Sequence, residues 1–140
     1  MTKNSTPSTT LTDQDKLTLA TAAHGAVALI AAAGVKSAGK VATSGALALA
    51  SATCPVGHAL AEKQKGLKLT GKSTAELADK VLPALTASLS LLKKQDPAEA
   101  DNFRSTVITA IEAGARAERG GPGPATTEMT RKITEALDAA

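Results

Sequence analysis

At 140 residues the chain has the length of one domain, and its 43% hydrophobic content is ordinary. Alanine dominates that content, Phe103 is the only aromatic residue, and Trp and Tyr are absent. This excludes a sheet core, which favours branched and aromatic side chains, and the net charge of +3 is mild, permitting contact with an anionic surface without requiring it, so a nucleic-acid partner is not expected. What remains is an all-α fold, because alanine is the best intrinsic helix former and lets helices approach closely.

Residues 1–10 are rich in Ser and Thr and read as a flexible tail. No apolar run follows Lys3, which reads against a secretory leader and points to the cytoplasm. Residues 11–140 form the helical domain. Thr12 stands before Asp13, Gln14 and Asp15, a helix start with acidic residues on its first turn. The helix is expected to run to Ala33, with Gly34 closing it. Leu19, Ala22, Ala23, Ala26, Leu29, Ile30 and Ala33 recur along it at three- and four-residue spacing.

A second helix is expected from about Val41 to Ala52, diluted by Gly39 and Gly45, with a further turn near residues 56–61 beyond Pro55. Residues 17–35 and 41–61 are both free of formal charge and have the lengths of membrane spans. Large aliphatics are sparse in them, His24, His58 and several hydroxyls oppose insertion, and no aromatic belt marks an interface. The favoured reading is two buried helices of an alanine-rich core, with a membrane surface as the alternative contact for residues 17–61.

Residues 62–72 are a basic connector. Eight lysines against three carboxylates give residues 1–72 a net charge of +5, whereas residues 73–140 carry −2. Within the connector, Gly66, Gly71, Lys72 and Ser73 fit the G-x-x-x-x-G-K-[ST] pattern of a phosphate-binding loop. That device needs a strand before the first glycine and a second magnesium ligand. The preceding Glu62, Lys63, Gln64 and Lys65 have no strand pattern, so the stretch reads as a linker ending in a helix cap. The lysines 63, 65, 68 and 72 have no aromatic neighbours to stack bases.

Ser73 and Glu76 form a capping box for a third helix carrying Leu77, Val81, Leu85, Leu89 and Leu92. Leu82 and Leu91 widen this stripe and suggest a central helix, with Pro83 expected to kink it or shift its start. Asp96, Pro97 and Glu99 open a fourth helix that buries Ala100, Phe103, Val107, Ile111 and Gly114. Glu112, Arg116 and Arg119 are expected in water, and the Gly/Pro run at 120–124 ends the helix. A fifth helix, from Thr126 or Thr127, is expected to bury Met129, Ile133, Ala136 and Leu137.

The Asp96-Pro97-Ala98-Glu99-Ala100 start, the Phe103-Arg104 pair, and the run from Ala113 to Gly121 leading to Ile133-Thr134-Glu135-Ala136-Leu137 resemble a group of small, alanine-rich bacterial helical proteins. The resemblance takes in the first helix and residues 96–139. It implies a helical fold and carries no site residues.

Cys54 and His58 stand four apart and would share a helix face, the spacing of a metal-ligand or nucleophilic pair. Pro55 interrupts the turn between them and no third ligand or orienting group is evident, so they read as structural residues. The lone cysteine forms no internal disulfide. The sequence thus points to a helical bundle of four or five helices without a catalytic set or cofactor. Its expected role is a non-enzymatic interaction protein that binds a protein partner or itself.

Overall fold

Thr12 starts the first helix through a reciprocal cap. Its Oγ1 accepts the Asp15 N–H at 3.0 Å, and the Asp15 carboxylate accepts the Thr12 N–H at 3.1 Å. In the computed structural model, which describes residues 12–33, 38–50, 74–118, 120–121 and 123–140, helix α1 then spans Asp13–Ala33. It is followed by α2 (Ala38–Ala50), α3 (Thr74–Gln95), α4 (Pro97–Ala117) and α5 (Pro124–Asp138). There is no strand among the described residues. The all-α bundle expected from composition is the fold.

Helix α1 lies in the middle and touches all four others, most extensively α3 and then α2. Its expected stripe is buried, apart from the half-buried Ala33, and so are Ala20, Gly25, Val27 and Ala31 on its other sides. A helix that is apolar nearly all round belongs in the interior of the bundle. The central position expected of the leucine-rich α3 therefore belongs to α1. The structural reason is that α3 keeps an exposed face through Glu76, Asp79, Lys80 and Pro83, while α1 has no charged residue after Lys16.

Three glycines set how closely the helices cross. A Cβ on Gly25 would lie 2.4 Å from Val81 of α3, and one on Gly45 would lie 2.6 Å from Val27 of α1. On Gly114 of α4 a Cβ would meet Val41 of α2 at 3.0 Å and the Val41 carbonyl oxygen at 3.2 Å. Between these crossings Leu19, Leu29, Ile30, Leu85, Leu89, Leu92, Phe103, Ile111, Ile133 and Leu137 fill one continuous core.

Helix α3 runs unbroken through Pro83, which is exposed. The carbonyl of Asp79, which loses its helical partner to the missing proline N–H, also belongs to an exposed residue, so the break in the hydrogen-bond ladder falls on the outer side of the helix. Helix α3 starts at Thr74, where the sequence placed its start, and the expected capping box falls on Ser73, which lies outside the described residues.

A single residue joins α3 to α4. Asp96 donates its N–H to Leu92 O at 2.6 Å, and its side chain accepts the Ala98 N–H at 3.1 Å. The expected face of α4 is buried, together with Ala110, Ala115 and Glu99, whose carboxylate accepts a hydrogen bond from Asn102 Nδ2 at 2.7 Å.

Two boundaries differ from the sequence expectation. Helix α2 begins at Ala38, three residues early, and α5 begins at Pro124, two or three early. Proline is suited to the first helical position, and Gly123 takes the cap in extended backbone, so α5 starts inside the Gly/Pro run that was expected only to end α4. The tail at 1–10, the turn near 56–61 and the connector at 62–72 lie outside the described residues.

Candidate functional site

Gly66, Gly71, Lys72 and Ser73 of the phosphate-loop pattern lie outside the described residues, as do Cys54 and His58. Among the described residues no group of three His, Cys, Asp or Glu side chains is placed to hold a metal ion. His24 sits half-buried on α1.

The most distinctive surface is the outer side of α2. Val41, Gly45 and Leu49 turn inward at four-residue spacing and seal the helix against α1 and α4. Lys40, Thr43 and Leu47 face out, flanked by the half-buried Ser44 and Ala48. Leu47 is 63% exposed and is the large apolar side chain most open to water among the described residues. A shallow groove of about 650 Å³ lies on this side, lined by Gly39, Lys40, Thr43 and Ser44 and by Ala117 of α4. Sequence reasoning missed this face. The signal was present, since Leu47 is the one large aliphatic of the segment lying off the 41-45-49 stripe.

A second hollow, of about 290 Å³, lies between α4 and α5 and is lined by Glu112, Ala115, Arg116, Thr127 and Thr130. Beside it is a polar knot that local patterns did not reveal. Glu118, just past the end of α4, accepts the N–H of Gly123 at 3.1 Å and the hydroxyl of the fully buried Thr126. In an ordinary capping box the carboxylate comes from three residues inside the helix. Here that position is Thr126, and the acceptor comes from the residue that follows the preceding helix. Between them Gly120 and Gly121 adopt φ +81° and +88°, a conformation that favours glycine.

The outer face of α5 carries the strongest electrostatics. Arg131 donates to both Glu128 and Glu135, one turn to either side. The hydrogen bond from Arg131 holds the Glu128 carboxyl below its usual range, and the same pair raises the Arg131 pKa. Both groups are exposed, so this is a solvated ion-pair network of the kind that supports a helix surface.

Chemically, these features provide apolar contact and helix capping. No family model, no curated protein and no solved structure matches this chain.

Proposed function

We propose that this chain is a non-enzymatic helical interaction protein that self-associates, with the outer face of α2 as a contact surface. The observation that carries the reading is Leu47, 63% exposed on a helix whose opposite face is sealed into the core. Covering an exposed leucine is worth roughly 1.5–3 kcal/mol when burial is complete. The neighbouring Thr43, Ser44 and Ala48 are small enough to let another helix lie close. The reading assigns the chain no catalytic residue, no cofactor and no nucleic-acid ligand.

Light scattering on a concentration series of the wild type and Leu47→Lys tests it. The wild type is expected to move from monomer toward dimer as concentration rises, and Leu47→Lys to associate more weakly with an unchanged helical spectrum. A wild type that stays monomeric throughout, or a variant that associates as the wild type does, would overturn this assignment.

A specific observation favours a second reading. Residues Gln14–Ala33 of α1 form a 20-residue stretch of mean hydropathy 1.4, long and apolar enough to cross a membrane. Flotation with phosphatidylcholine/phosphatidylglycerol vesicles separates the two. Retention with the vesicles through a high-salt wash favours insertion, and recovery of the whole protein in the soluble fraction removes it.

A further inference from the structure

The hollow between α4 and α5 is lined by charges that the fold does not use. Glu112 and Arg116 stand four residues apart on α4 with the glutamate nearer the N-terminus, the order in which such a pair favours closing on itself along a helix. Helix α5 shows that closure, since Arg131 is joined to both Glu128 and Glu135. Among the described residues, no hydrogen bond or ion pair holds the side chain of Glu112 or of Arg116. Both side chains are exposed, and both line the hollow of about 290 Å³.

The rest of the lining supplies hydrogen-bonding groups of matching kind. The exposed Thr127 is the fourth residue of α5, near the end of the helix dipole that favours negative charge, and its hydroxyl can donate. The Thr130 hydroxyl gives its hydrogen to Thr126 O at 2.9 Å, which leaves its oxygen able to accept. Ala115 adds methyl surface to the lining. One hollow therefore offers a guanidinium and a donor to an anionic group, and a carboxylate and an acceptor to a cationic one.

We propose that this hollow binds a small zwitterion of the amino-acid class, its carboxylate on Arg116 and Thr127 and its ammonium on Glu112 and Thr130. Size and charge select that class. Pockets for drug-sized ligands run to roughly 300–1,000 Å³, so a hollow of about 290 Å³ suits a molecule of a few heavy atoms. A simple anion would meet Glu112 and a simple amine would meet Arg116, so a ligand with one charge keeps one repulsive neighbour. Side chains four apart on a helix have their Cβ atoms about 5–6 Å apart. That spacing suits a short flexible chain with an amine at one end and a carboxylate at the other. The charged groups stand in water, so binding is weak. The site is independent of the α2 face, and either can fail without the other.

Heteronuclear NMR titration of the full chain with γ-aminobutyrate tests it, with butyrate and n-butylamine as single-charge controls. The zwitterion is expected to shift the amides of Ala115, Arg116, Thr127 and Thr130 saturably in the millimolar range, and each control to bind about tenfold more weakly. Glu112→Gln and Arg116→Gln are each expected to weaken γ-aminobutyrate about tenfold with unchanged helical content, because both side chains are exposed. Glu112→Gln should also abolish the preference over butyrate, and Arg116→Gln the preference over n-butylamine, a crossed pattern that a merely structural loss does not give. Butyrate binding as tightly as γ-aminobutyrate would overturn the zwitterion assignment in favour of a plain anion site. The absence of any saturable shift in the wild type would overturn the site itself and leave the α2 reading standing.

Discussion

At Gly25 a methyl group would lie 2.4 Å from Cγ2 of Val81, a fully buried side chain whose branched Cβ leaves it little rotational freedom. Gly25→Ala is therefore expected to destabilise the protein by about 1–3 kcal/mol, even though alanine is the better helix former by about 1 kcal/mol. Adding Val81→Ala removes the clash, so the double variant should lose less stability than the sum of the two singles, measured by urea unfolding. Gly114 behaves differently, because the Val41 carbonyl oxygen as well as its side chain lies in the way. Gly114→Ala should be destabilising, and Val41→Ala should fail to rescue it, since only a shift of the α2 backbone makes room. Equal rescue at both sites would mean that the α2–α4 crossing is looser than the geometry indicates. These contacts were poorly legible in the sequence. Gly45 reads there as a weak point in a helix, whereas it is where α2 crosses α1. Propensity belongs to one element, and close approach belongs to two.

Among the elements, α5 has the clearest division between a buried stripe and a charged face, and most of its pattern was readable from spacing alone. Glu128, Arg131, Lys132, Glu135 and Asp138 are all exposed, as their positions require. Its start was not readable, because the cap depends on Glu118, which lies five residues before the Gly123 cap, just past the end of α4. The Arg131 hydrogen bond lowers the Glu128 pKa in the folded state. The stabilisation from this pair is therefore present above the ordinary glutamate pKa and is lost as pH falls through the lowered value. Arg131→Gln should reduce the acid sensitivity of the melting temperature in that window. The difference from the wild type should be small and should shrink further in high salt, because both groups are exposed. A difference that persists in high salt would mean that Arg131 acts through packing and not through charge. By contrast, the cap at Asp96 was legible in full, since an N-cap aspartate followed by proline is a purely local signal and the structure uses it locally.

For the whole molecule, the helical class followed from composition, but which helix occupies the centre did not follow from leucine content. The leucine stripe of α3 marks a strong inward face, while the near absence of any polar face marks α1 as the middle. Ala23 is fully buried on α1 and lies in the common core. An aspartate there would be a buried charge without a built partner, a change that typically costs about 3–5 kcal/mol when a charge is left uncompensated. That is a large share of the roughly 5–15 kcal/mol that holds a domain folded. Ala23→Asp is thus expected to abolish or greatly lower the cooperative thermal transition in lipid-free buffer, followed by circular dichroism. Gln14→Asp, on the exposed first turn of the same helix, should leave it nearly unchanged because negative charge is favourable there. The pair also separates the two readings of Gln14–Ala33. If α1 is the core of a water-soluble bundle, lipid-free stability depends on Ala23 and not on Gln14. If α1 serves instead as a membrane segment outside the bundle, Ala23→Asp leaves the lipid-free transition intact and weakens vesicle flotation.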